Sequence, residues 1–310
     1  MRITSLAKTV LICAAGAIIL AGCTKKGHRE ILDRTGRRIV IDRPINRIVS
    51  SAPSNTEIIA DLGMAHKLVA IDRHSANVRA PDGCPGVPGG LPLLDFFYPD
   101  AEVIVNLEPD IIIASGHNAT GTGEDPFRLL RDAGIPVVYI SMSDSIDGIY
   151  GDIAFIAGLL DVQKKGEEVI SSMRAQVAEV SRKTAGAEAK RTVYFEVSAA
   201  PEMITFGKDS FIDNMISAVG AVNIFANDLW IVSPGAEAVI GRNPDVILTN
   251  VDYIDDPIGE IKSRPGFDHI NAVINNRVYY IDNDSSVRPS ARIVMALRQM
   301  ARAVYPELYP

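Results

Sequence analysis

The sequence predicts an α/β protein of two doubly wound, Rossmann-like lobes joined by a single long α-helix, with a ligand cleft between the lobes. Three observations predict it. Short apolar strands alternate with helices, one segment recurs in the second half of the chain, and a long amphipathic stretch lies between the two copies.

The alternation begins at residues 48–51, which read as a buried strand. Residues 54–62 follow as a helix stopped by Gly63, 68–71 as a second strand and 111–114 as a third. Residues 127–133 form a helix ended by Gly134, ahead of a strand at 137–140. Strands separated by helices pair in parallel, which gives lobes of doubly wound type.

The middle of the chain changes character. Ile146, Ile149, Ile153, Ile156 and Leu160 recur at helical spacing. Val162, Val169, Ile170, Met173, Val177 and Val180 continue the stripe on a second helix, with Lys164, Lys165, Glu167, Glu168, Arg174 and Glu179 off it. That helix runs from about Val162 to Thr184 and spans roughly 35 Å. Its length suits a rigid connector between lobes, although an amphipathic helix packed on one lobe has the same pattern.

The repeat supports the connector. Ala101 to Ile113 aligns without a gap on Ala236 to Leu248, at a constant offset of 135 residues. In each copy a short helix ends before Pro-Asp and an apolar strand follows. A weaker match pairs Ser54 to Gly63 with Ser210 to Gly220. These features divide the chain into a signal segment at 1–22, a lipidated N-terminus and linker at 23–46, and an N-terminal lobe at 47–144. Connecting helices at 145–185 and a C-terminal lobe at 186–310 complete it.

The N-terminus bounds where the protein works. Arg2 and Lys8 precede an apolar run from Val10 to Leu20, long enough for a secretion signal and too short to span a bilayer. The run ends in Leu20-Ala21-Gly22-Cys23, followed by polar Thr24-Lys25-Lys26, and this resembles the bacterial lipobox. The resemblance implies lipidation of Cys23 and a protein anchored on the extracytoplasmic side of a membrane. Cys13 leaves with the signal, so Cys84 stands without a partner for a disulfide or a four-ligand zinc site.

Composition narrows the class further. Charged residues make up 22% and hydrophobic residues 47% of the chain, which marks a globular body. A net charge of −7, more acidic once the basic signal is removed, argues against nucleic acid and suits docking on a basic surface. There is no Gly-x-Ser-x-Gly elbow, no phosphate-binding Gly-Lys-Ser/Thr loop and no His-Glu-x-x-His pair, so no enzymatic activity is expected. Gly121-Thr122-Gly123 lacks the third glycine of a dinucleotide loop.

Several segments together carry a family resemblance. Pro53-Ser54-Asn55-Thr56-Glu57-Ile58, the paired Glu-then-Pro-Asp segments, Phe211-Ile212-Asp213 leading to Gly220-Ala221-Val222-Asn223-Ile224, and Arg288-Pro289-Ser290-Ala291-Arg292 recur here in a characteristic order. They resemble the class of ABC-importer binding proteins that carry ferric siderophores, haem or cobalamin, across nearly the whole chain from Ile48. The resemblance implies a monomeric solute-binding lipoprotein that delivers its ligand to a permease dimer. Members present one glutamate on each lobe to permease arginines, and Glu102 and Glu237 occupy those positions in the two repeats.

The ligand should lie beyond the carboxyl ends of the strands. Candidates are Ser54, Arg73 and His74, His117 and Asn118 from the first lobe, with Tyr98 as an aromatic wall. Phe206, Trp230 and Arg288 come from the second, and Trp230 stands near where cobalamin-binding members place an aromatic against the ligand. Arg73, Arg79 and Arg288 would pair with an anionic siderophore or with haem propionates, whereas cobalamin would favour aromatic surfaces. The expectation leans toward an iron chelate, with no cofactor beyond the carried ligand. A molybdate-type oxyanion held by loop amides, a bare divalent metal between His74 and His117, and a metal-dependent enzyme on a related two-lobe architecture stay open. A lobe-bridging helix predicts only modest closure on ligand.

Overall fold

The computed structural model describes residues 29–78, 86–117, 125–141 and 143–309. Cys13, Cys23, Arg79, Cys84, Asn118 and the 121–123 glycine segment lie outside them. Residues 29–41, expected within the linker at 23–46, fold as an antiparallel hairpin of β1 (Arg29–Leu32) and β2 (Arg38–Ile41). Asp33 makes the turn by accepting from the Thr35 and Arg37 amides, and it also accepts from the Tyr139 amide at 3.0 Å. The hairpin is thereby fixed to the N-terminal lobe.

That lobe holds β3 (Ile48–Ser50), α1 (Pro53–Asp61), β4 (Leu68–Asp72), β5 (Leu93–Leu94), α2 (Ala101–Asn106), β6 (Ile111–Ser115), α3 (Arg128–Asp132) and β7 (Val137–Ile140). The strands form one parallel sheet in the order β5-β4-β3-β6-β7. Ile48, Val49, Ile111, Ile112 and Ile113 are fully buried, which fits a sheet covered on both faces. Pro53 opens α1, since its fixed φ and missing N–H cost nothing at the first helical position.

Two helices then cross to the second lobe: α4 (Ile146–Leu159) and α5 (Gln163–Thr184). The α4 stripe buries Ile146, Ile149, Ile153 and Ile156. At Gly166 an added Cβ would lie 2.5 Å from the Ala157 Cβ, so the start of α5 sits tightly on α4 and the first lobe. At its other end Ser181 Oγ donates to the Ala218 carbonyl at 2.7 Å. The long helix is therefore anchored at each end to a different lobe.

The second lobe contains β8 (Thr192–Glu196), β9 (Thr205–Phe206), α6 (Phe211–Ala218), β10 (Val222–Asn223), β11 (Ile231–Val232) and α7 (Ala236–Arg242). It continues through β12 (Val246–Thr249), α8 (Pro257–Ser263), α9 (Asn271–Ile274), β13 (Val278–Tyr280), α10 (Asn283–Val287) and α11 (Ile293–Val304). Its parallel sheet runs β10-β8-β12-β13, the same order as β4-β3-β6-β7.

The sequence repeat is thus a structural repeat. Glu108 and Asn243, at matching positions, both adopt left-handed backbone with φ of 44° and 42°, turning the chain from helix into strand. The aspartate two residues on ties that strand to its neighbour. Asp110 accepts from the Asn46 and Arg47 amides at 2.7 and 2.9 Å, and Asp245 accepts from the Thr192 amide at 2.9 Å. Burial raises the Asp245 pKa, but the Thr192 hydrogen bonds outweigh it and hold the carboxyl below its ordinary value.

Candidate functional site

Between the lobes lies a cleft of about 390 Å³. On one side it opens beyond the carboxyl ends of β3, β4, β6 and β7. On the other it meets the start of α6, the β9 and β11 segments, and α10. Parallel strands whose crossovers run to opposite faces leave such a crevice.

The first-lobe wall is set by hydrogen bonds behind it. Asp72 caps the turn at 73–75, accepting from the His74 amide at 2.9 Å and from Ser75 Oγ. Ser75 Oγ reaches Thr56 Oγ1 at 2.9 Å, and Thr56 reaches Ser50 Oγ at 2.8 Å. This buried chain places His74 and Ser54 on the cleft. The N-terminus of α1 has no side-chain cap, and its first residues Pro53, Ser54 and Asn55 line the cleft.

His117, just past β6, faces the edge of Phe96, with centroids 6.4 Å apart. Burial lowers the His117 pKa below the ordinary histidine value, so the imidazole is neutral at neutral pH and a ring nitrogen is available as an acceptor or metal ligand. Phe96, not Tyr98, supplies the aromatic wall here. Asp95 accepts from the Phe97 and Tyr98 amides at 2.9 Å each, and this turn leaves Tyr98 86% exposed outside the cleft. Asp95 ahead of the aromatic run was the available signal for the turn. Arg73 is exposed and also lies off the cleft wall.

From the second lobe, Phe206 and Trp230 meet edge to face with centroids 6.4 Å apart and planes at 72°. Trp230 is 38% exposed and lines the cleft. Ser210 caps α6 by accepting from the Asp213 amide.

Arg288 reaches the cleft, but its guanidinium is already engaged. It donates to Glu57 at 3.1 Å and to the His74 carbonyl at 3.2 Å across the lobe boundary, and it pairs with Asp284 on its own helix. It is the only lysine or arginine among the described lining residues. Asp152, also on the wall, is paired with Arg34 at 2.7 Å and accepts from Ser143. Both acids were legible as charged residues on apolar faces, Glu57 beside Ile58 and Asp152 between Ile149 and Ile153. Among the described residues the cleft is therefore aromatic and polar, with Arg288 and Asp152 each engaged by an opposite charge. Among the described residues no group of three His, Cys, Asp or Glu side chains is placed to hold a metal ion.

Glu102 and Glu237 lie in the first turns of α2 and α7 at matching places in the two lobes. Both are exposed, and neither makes an ion pair with a described residue.

A family model described as periplasmic binding protein matches residues 48–285. YvrC of Bacillus subtilis (strain 168), an ABC transporter substrate-binding lipoprotein, is 28% identical over 258 residues, covering 83% of this chain and 79% of that one. A possible iron-binding (periplasmic solute-binding) protein from Staphylococcus epidermidis superposes with a TM-score of 0.73 at 31% identity, covering 85% of this chain and all of that one. The periplasmic vitamin B12 binding protein BtuF of Vibrio cholerae shares the fold, with a TM-score of 0.68 at 24% identity over 85% of this chain and 98% of that one.

Proposed function

The chain belongs to the periplasmic binding protein family of ABC-transporter solute-binding proteins, and from that premise we propose that it captures a bulky metal complex of low net charge in the interlobe cleft and delivers it to an ABC permease. The observation that carries this reading is the pairing of Arg288. With the one guanidinium among the described lining residues held by Glu57, Asp284 and the His74 carbonyl, an anionic ferric siderophore meets no unpaired lysine or arginine among those residues. Phe96, Phe206 and Trp230 instead offer apolar faces, and neutral His117 offers a nitrogen. A cobalamin-like complex fits these walls better than an anionic iron chelate does. The uncapped start of α1 favours one second reading, a small oxyanion such as molybdate held by backbone N–H groups.

The test is calorimetry of the protein from Thr24 onward with cyanocobalamin, haemin, a ferric hydroxamate, a ferric catecholate and molybdate. Submicromolar binding of cyanocobalamin is expected. Trp230→Ala should weaken it at least about tenfold, equivalent to ~1.4 kcal/mol, a reasonable share for one aromatic face. Preference for the catecholate or for molybdate would overturn the low-charge reading.

Delivery rests on a second feature, the two exposed glutamates at repeat-related positions. Each would pair with a permease arginine, fixing orientation as well as contact. The double variant Glu102→Arg, Glu237→Arg should bind ligand with unchanged affinity yet fail to support uptake. Full uptake by that variant would remove Glu102 and Glu237 from the docking surface. Lipid on Cys23 would hold the protein near the permease, and anchoring of α5 in both lobes would keep closure modest.

A further inference from the structure

Trp230 carries an unusual backbone. Its φ is 41°, in the left-handed region that a bulky aromatic rarely adopts. Such a conformation persists only where the surroundings impose it, and it commonly marks a working site.

The surroundings are visible on both sides of the loop that leads to Trp230. On the inner side, the Gly207 amide donates to the Trp230 carbonyl at 2.7 Å, the Trp230 amide donates to the Lys208 carbonyl at 3.0 Å, and the Lys208 amide donates to the Asp228 carbonyl at 2.9 Å. On the outer side, Arg242 of α7 pairs with Asp228 at 2.8 Å, donates to the Ile224 carbonyl at 2.7 Å and lies over the Phe225 ring at 4.1 Å. Gly207 is the point of closest approach. A Cβ there would sit 2.1 Å from the Asp228 carbonyl oxygen and 2.9 Å from that of Phe225. Both obstacles are backbone, so no side-chain rotation relieves the clash.

We infer that Gly207 is a positioning residue for ligand recognition: lacking a Cβ, it lets the loop at 225–230 close on residues 206–208, and that closure holds Trp230 in left-handed backbone with its indole set against Phe206 before ligand arrives. The inference rests on the interlobe cleft being the ligand site. It assigns to the second lobe a preformed aromatic corner that receives an apolar face of the ligand, with little ordering left to be done on binding.

Trp230 is the only tryptophan of the chain, so its emission, acrylamide quenching and near-ultraviolet circular dichroism report on this corner in the free protein. In Gly207→Ala, a folded protein should show a weaker tryptophan dichroism and at least about twofold greater quenching. Its affinity for cyanocobalamin should fall as far as that of Trp230→Ala, with no further loss in the double variant. A folded Gly207→Ala with wild-type tryptophan signals would overturn the inference. Should that variant not fold, Trp230→Gly and Trp230→Ala decide the matter in an otherwise native chain. Glycine accepts a positive φ, so Trp230→Gly should melt roughly 2–4 °C above Trp230→Ala. The reverse order, expected at an ordinary backbone, would remove the imposed conformation and the inference with it. If wild-type protein ignores cyanocobalamin, the ligand assignment fails while the free-protein signals still decide the role of Gly207.

Discussion

Glu57→Ala is expected to destabilise the protein by about 3–5 kcal/mol, the range for removing one partner of a buried ionic cluster. Glu57 is fully buried on α1 of the first lobe, and three groups of the second lobe converge on it. Arg288 donates at 3.1 Å, Ser290 Oγ donates to the other carboxylate oxygen, and Arg292 stands 3.8 Å away. Truncation leaves Arg288, itself 12% exposed, with only Asp284 and a carbonyl. The lobes lose a polar connection across the cleft floor, while α5, the Arg288 bond to the His74 carbonyl and the shared apolar core still join them. Urea unfolding gives the stability loss, and small-angle scattering should show a larger radius of gyration in the free variant. Glu57→Gln, which keeps an acceptor, should lose less. A wild-type midpoint in Glu57→Ala would show that the clamp contributes nothing net.

The second large effect concerns pH. Asp61 lies one turn after Glu57 on the same buried helix, and its Oδ2 has no hydrogen-bond partner. Burial pushes its pKa up to about 7; Glu57 adds to that, while Arg292 and Lys165 act against it. Burial likewise raises the Glu57 carboxyl, with Ser290, Arg292 and Arg288 pulling it down. A folded-state pKa above the unfolded value means that the native state holds the extra proton. Stability is therefore greatest below the ordinary aspartate pKa and declines as pH rises through about 7. Ionising Asp61 in place costs about 4 kcal/mol at full extent. Asp61→Asn removes that cost and should raise the melting temperature at pH 8 well beyond any change at pH 5. Equal shifts at both values would show that Asp61 ionises freely in the folded protein. Because Arg292 and Lys165 face Asp61 from the second lobe and from α5, the same titration bears on the lobe junction.

Much of this architecture was readable in the sequence because it follows from local rules. Parallel strands covered on both faces are continuous apolar runs, so residues 48–51, 111–114 and 137–140 stood out, and the strands run 48–50, 111–115 and 137–140. The long helix was legible from its stripe, and its observed span of Gln163–Thr184 departs from the expected one by a single residue. Pairing Glu102 with Glu237 needed only the gapless repeat. Position after strands pointed to Ser54, His74 and His117, which line the cleft, and to Arg73, which does not; Phe206, Trp230 and Arg288, added from the second lobe, also line it.

Side-chain direction and long-range pairing were not readable. Tyr98 turns outward and Phe96 inward because of one Asx turn at Asp95. Arg288 lines the cleft as expected, and what could not be read is its pairing with Glu57, a residue 231 positions away whose approach exists only once the lobes are joined. The left-handed backbone of Trp230 depends on Gly207 across a loop closure that no local pattern specifies.

The two-lobe α/β plan, the connector and the paired glutamates were legible from the chain alone, because hydrophobic period is a property of neighbours and the internal repeat needs only alignment of the chain on itself. Only the tertiary structure decided the charge of the cleft and the aim of its aromatics. Those depend on which buried carboxylate finds which guanidinium, and on how closely two backbones can approach, and both are settled by contacts between residues far apart in sequence.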